Sequence, residues 1–169
     1  MSDYSETERA GRPESRSNKP FTVLVCGGRN FSDLRGNWWG FPSLSERKKQ
    51  YNFVHETLDR LTRENKWPVD NGEYDGFHFP TWKLITGGAR GVDSTAIDYA
   101  IVNWMPFQEF IADWDNHGRA AGPIRNKKML DEGRPDVVVA FPGDKGTANM
   151  IKQAKKAGVP VIEVEYEKT

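Results

Sequence analysis

Three apolar runs each break off into a glycine loop: FTVLVC before GGR, WKLIT before GGARG, and DVVVAF before PGDKG. A run that is apolar at successive positions, rather than at alternate ones, needs cover on both faces. That need selects a parallel sheet with helices on both sides. The pattern predicts strands over Phe21–Cys26, Trp82–Thr86, Phe107–Ala112, Asp136–Phe141 and Val161–Glu165. Between them it predicts helices over Ser45–Asn65, Val92–Trp104, Pro123–Glu132 and Thr147–Ala157. In the first helix Tyr51, Val54, Leu58 and Leu61 recur at helical spacing, and Ser43 with Glu46 fits a capping box. Pro123 suits a first turn, and Gly158 suits a helix stop. Five strands alternating with four helices, joined by right-handed crossovers, make an α/β, doubly wound parallel sheet. The expected strand order is 3-2-1-4-5, with the switch point between the first and fourth strands.

A chain of 169 residues suits one domain. Its 24 basic and 24 acidic residues cancel, which argues against a broad nucleic-acid surface and leaves room for a local basic pocket. No apolar run approaches the length of a transmembrane helix, so no membrane partner is expected. Residues 1–20, MSDYSETERAGRPESRSNKP, are polar throughout and read as a flexible tail without the apolar segment of a secretion signal. The single cysteine, Cys26, has no partner for an internal disulfide, and a cytoplasmic location follows. With no histidine nearby to act as base, Cys26 reads as a buried inert thiol rather than a nucleophile. His55, His78 and His117 match no metal spacing, so neither a metal nor a resident cofactor is expected. A Walker lysine motif and a G-x-S-x-G elbow are both missing.

Two aromatic-rich stretches, residues 35–44 (RGNWWGFPSL) and 66–81 (KWPVDNGEYDGFHFPT), lack helical period and read as insertions in the domain at 21–169. The first follows the loop of strand one, so Trp38 and Trp39 are expected to overhang the ligand edge as a lid. The second precedes strand two and is expected to pack at the far edge.

Glycine loops at strand ends expose backbone N–H groups, and a following helix adds its dipole, so both suit an anion. The candidates are Gly27, Gly28 and Arg29 after strand one, and Gly87, Gly88, Ala89, Arg90 and Gly91 after strand two. Pro142, Gly143, Gly146 and Thr147 follow strand four. Thr147 is open to two readings, helix cap or phosphate ligand. Asp93 is likewise either a helix-start carboxylate or an acceptor for a ribose hydroxyl. Arg125 and Asn126 open the third helix, where an arginine suits bidentate phosphate binding. His117 reads as a surface-loop residue rather than a general base.

The blocks VLVCGGRNFSD, ITGGARGVD, ADWDNHGRAAGPIRNKKML, PDVVVAFPGDKGTANM and KAGVPVIEV, in that order, resemble the YspA-like (cpYpsA-related) branch of the SLOG superfamily. More distantly they are similar to LOG phosphoribohydrolases and DprA-type proteins. The resemblance implies a Rossmann-like fold, a nucleotide-derived ligand on the glycine loops, a bacterial or phage source and a homo-oligomer. LOG enzymes carry P-G-G-x-G-T-x-x-E, whose glutamate is taken to assist N-glycosidic cleavage. Here Pro142, Gly143, Gly146 and Thr147 match, Asp144 replaces the second glycine, and Met150 stands at the glutamate position. Arg125 matches the arginine of the pattern. A methionine neither donates a proton nor stabilises an oxocarbenium ion.

The leading expectation is therefore a sensor-type module that binds a nucleoside monophosphate or an ADP-ribose-like ligand. An N-glycosidase is the alternative, with Arg125 positioning phosphate and Asp93, Asp113 or Asp144 replacing the missing carboxylate. A DprA-like binder of single-stranded DNA is the third reading, and zero net charge weighs against it.

Overall fold

The computed structural model describes residues 19–34, 43–65, 67–70 and 79–167. Strands β1 (Thr22–Cys26), β4 (Lys83–Thr86), β5 (Phe107–Glu109), β6 (Val137–Ala140) and β7 (Val161–Glu163) form one sheet in the order β5-β4-β1-β6-β7. All its neighbours run parallel. Counted along this sheet's own strands, the order is 3-2-1-4-5, and the switch point lies between β1 and β6. This is a doubly wound α/β domain of Rossmann-like topology.

Successive residues of β1 face opposite ways, and both sets are buried. Val23 and Val25 join Leu84, Val137 and Val139 against α1 (Leu44–Glu64) and α2 (Val92–Val102) through Val54, Leu58, Ala96 and Tyr99. Leu24 and Cys26 join Ile85, Val138 and Ala140 against α4 (Ala121–Asp131) and α5 (Lys145–Lys156) through Met129, Leu130, Met150 and Ala154. The apolar runs are continuous because each feeds two cores.

Several boundaries differ from the sequence reading. The third strand ends at Glu109 instead of Ala112, and all three of its residues are exposed, because β5 is the sheet edge and pairs only with Leu84–Thr86. A short helix α3 (Trp114–His117) and a 3₁₀ turn (Gly118–Ala120) lead straight into α4, which starts two residues before Pro123. Asp113 caps α3: its carboxylate accepts from the Asn116 amide at 3.1 Å and from Asn116 Nδ2 at 2.7 Å. The last helix starts at Lys145, so Thr147 is its third residue and not its cap.

The stretch at 66–81 holds two strands the pattern did not suggest, β2 (Val69–Asp70) and β3 (Phe79–Pro80), paired antiparallel. Trp67, just before β2, is buried against Phe21 and Trp82 at the starts of β1 and β4. Trp82 in turn donates from Nε1 to Thr62 Oγ1 at 3.2 Å. Residues 35–42, with Trp38, Trp39 and the expected lid, lie outside the described residues, as do 1–18 of the expected tail.

Candidate functional site

The loops after β1, β4 and β6 meet at the switch point and pack backbone to backbone. Gly28 donates its N–H to the Pro142 carbonyl at 2.9 Å and accepts from Val92 N–H at 3.3 Å. A Cβ on Gly91, which has φ +77°, would stand 2.2 Å from the Gly28 carbonyl oxygen. One on Gly143 would stand 2.2 Å from Thr147 Oγ1 and 2.7 Å from the Gly28 nitrogen. These glycines are therefore required by loop-on-loop contact. Gly146 differs, because a Cβ there would meet nothing within 4 Å.

Beside this junction lies a cavity of about 570 Å³. Cys26, Met129 and Met150 give it an apolar floor. One wall comes from Gly27, Gly28, Arg29 and Asp93, and another from Arg125 and Asn126 in the first turns of α4. The third is the start of α5, Asp144 to Thr147. Trp114 and Arg119 stand at its side, so four cationic side chains (Arg29, Arg119, Arg125 and Lys145) face it against the two carboxylates of Asp93 and Asp144. Asp144 is the N-cap of α5, yet its side chain makes no capping hydrogen bond. The amides of Lys145, Gly146 and Thr147 precede the first intrahelical donor, Ala148 N–H to the Asp144 carbonyl. They are left for water or a ligand.

A second cavity of about 250 Å³ rests on Gly87, Gly88, Ala89 and Arg90, with Ile111 and Ala112 behind. Arg29, Ala89, Trp114 and Arg125 line both cavities. The Arg29 guanidinium carbon lies 5.2 Å from the centroid of the Trp114 ring, a cation–π contact at their boundary.

Asp93 is buried beneath the β4 loop and accepts from the Ala89 N–H at 3.1 Å. Burial pushes its carboxyl up to about 6, opposed by the Ala89 hydrogen bond and by the Arg125 charge. Arg125 donates from Nη1 to the Gly87 carbonyl and from Nε to Asn126 Oδ1, and burial lowers its pKa against the pull of Asp93. Asn126 is buried and donates to the Gly146 carbonyl and to Asn149 Oδ1, both at 3.1 Å, tying α4 to α5. The Cys26 thiol is pushed well above its ordinary range, chiefly by burial and then by Asp93, which suits an inert floor residue.

The structure thus brings Gly27, Gly28, Arg29, Ala89, Asp93, Arg125, Asn126, Gly146 and Thr147 to the larger cavity, and Gly87, Gly88 and Arg90 to the smaller. Gly91, Pro142 and Gly143 lie behind the loops and line neither, as does Asp113. Sequence reasoning missed Trp114, Arg119 and Lys145. Their available signal was position: the first two sit in the block after strand three, the third beside Gly146. Met150, at the position of the LOG glutamate, is buried in the cavity floor. Among the described residues no group of three or more His, Cys, Asp or Glu side chains is placed to hold a metal ion.

These features define a doubly wound α/β domain with a cationic cleft at its switch point. The chain belongs to the family of the Gene 61 protein of Mycobacterium phage D29, with which it is 40% identical over 89 residues, 47% of this chain and 68% of that protein. No protein-family model matches it. Among solved structures, the Moco carrier protein from Chlamydomonas reinhardtii is similar at 17% identity and a TM-score of 0.46, over 86% of this chain and 76% of that one.

Proposed function

We propose that this chain is a SLOG-type module that binds a nucleotide or nucleotide-derived ligand in the larger cavity. The observation that carries the reading is the uncapped start of α5, whose first amides open onto a cleft lined by four cationic side chains. An anionic group on Gly146 and Thr147 would gain the helix dipole and the Arg125 charge together. The apolar floor of Cys26, Met129 and Met150 suits the less polar part of such a ligand. The five blocks resembling the YspA-like branch support the same reading. Titration calorimetry against nucleoside monophosphates and ADP-ribose is the test. Saturable binding of at least one is expected, and no heat from any at millimolar concentration would sink the reading.

One observation favours a second reading, N-glycosidic hydrolysis. Asp93 lines the cavity with its carboxyl raised to about 6, the range in which a general acid works near neutral pH. Chromatography of nucleoside monophosphates after incubation would reveal free base, and Asp93→Asn should abolish its release. Cytoplasmic placement and a homo-oligomer complete the proposal. No helix among the described residues is long and apolar enough to cross a membrane. Sedimentation velocity would distinguish an oligomer from a monomer.

A further inference from the structure

The smaller cavity has its own charge. Arg29, Arg90 and Arg125 line it, and no carboxylate does. Acidic groups stand around it: Asp93, beneath the loop beside Arg125; Glu109, whose Oε2 would lie 2.7 Å from a Cβ on Gly88; and Asp113, between the lining residues Ala112 and Trp114, with its carboxylate bound to Asn116. Arg29 stacks on Trp114, and Arg125 is held by the Gly87 carbonyl. Among the described residues Arg90 makes no hydrogen bond, ion pair or ring contact, and it is exposed. Arg29 and Arg125 repel each other, Asp93 offsets that on the Arg125 side alone, and an anion in the hollow would face all three guanidinium groups. The larger cavity does not need Arg90, which lines the smaller one alone.

We infer that the smaller cavity is a second anion subsite, and that the ligand carries two phosphoryl groups, one on the start of α5 and one among Arg29, Arg90 and Arg125. The inference rests on the nucleotide reading for the identity of the ligand, but not for the anion subsite itself. Arg125 lines both cavities and joins the two positions. The Arg29–Trp114 stack stands at their boundary, where the planar or sugar portion of the ligand crosses. A ligand with one phosphoryl group fills the first position and leaves Arg90, which lines the smaller cavity alone, without an anion.

Calorimetry on the full chain compares AMP with adenosine 3′,5′-bisphosphate and with ADP, which carry the second phosphoryl group apart from the first or in line with it. The tighter of the two is expected to bind at least about tenfold better than AMP, and Arg90→Ala to erase that ratio. A smaller ratio in the wild type, or one that survives Arg90→Ala, overturns the inference while leaving the nucleotide reading intact. Inorganic phosphate supplies the arm that needs no nucleotide. The Arg90 Nε–H resonance, assigned by its loss in Arg90→Ala, should shift on titration with phosphate. If it stays fixed to tens of millimolar, the anion subsite is wrong. If it shifts while no nucleotide binds, the subsite stands and the nucleotide reading falls.

Discussion

Arg125 Nη1 donates to the Gly87 carbonyl at 2.5 Å, so a residue at the start of α4 is held by the loop after β4. A Cβ on Gly87 would stand 1.8 Å from that same Nη1. Gly87 has no positive φ, so the contact is the whole obstacle to a side chain there. In Gly87→Ala the flexible guanidinium gives way rather than the backbone. The fold should survive, while ligand affinity falls by roughly 1–3 kcal/mol through loss of a charge-assisted contact. Arg125→Ala should do the same, and the double variant should lose little more than either alone. Calorimetry on the three variants checks this, and additive losses would separate the two residues.

Asp93 supplies a pH dependence with a definite sign. Its carboxyl is raised from 3.8 to about 6 in the folded chain, so the native state holds the proton more tightly than the unfolded one. The group costs nothing below about pH 4, and its cost grows as pH rises towards 6 and is complete above that. The full cost is on the order of 2–3 kcal/mol. Asp93→Asn mimics the neutral acid and retains an acceptor for the Ala89 N–H. It should match the wild type near pH 3.5, below both carboxyl values, and be the more stable of the two at pH 7.5. Thermal unfolding of both proteins across that range reads the difference directly.

The aromatic packing at the opposite end of the sheet should affect stability alone. Trp67 is buried against Phe21 and Trp82, at the starts of β1 and β4, whereas both cavities lie beyond the strand C-termini. Trp67→Ala should destabilise the chain by roughly 3–5 kcal/mol in denaturant unfolding. Ligand affinity, measured well below the unfolding midpoint, should not change.

The sheet order was legible because β1, β4 and β6 are apolar on both faces, a property of buried parallel strands that local sequence carries directly. The edge strand β5 was overextended. Phe110 N–H still donates to the Thr86 carbonyl at 2.9 Å, but β5 ends at Glu109, and the burial of Phe110 and Ala112 extends the apolar run past the strand's last residue. The pair β2 and β3 was missed because two-residue strands have no period to detect. Convergence of the glycine loops was legible, but their chemistry was only partly so. Gly91 and Gly143 are there for loop-on-loop contact, and of the ligand candidates Pro142, Gly143, Gly146 and Thr147 the last two line the cavity, beside Asp144. Trp114 was overlooked because its role depends on α3, a four-residue helix fixed by the Asp113 cap, and on its approach to Arg29 from another loop.

The central claim is that an anion binds at the start of α5, and Gly146→Asp tests it most directly. A Cβ at Gly146 meets nothing within 4 Å, so the fold has space for the new side chain. A carboxylate in the first turn also favours the helix dipole, so unfolding should occur at or slightly above the wild-type temperature. The same carboxylate would occupy the anion position with the wrong charge. Calorimetric titration with the tightest nucleotide ligand should therefore show binding weakened by at least about a hundredfold in a fully folded variant. Wild-type affinity in folded Gly146→Asp would contradict the account.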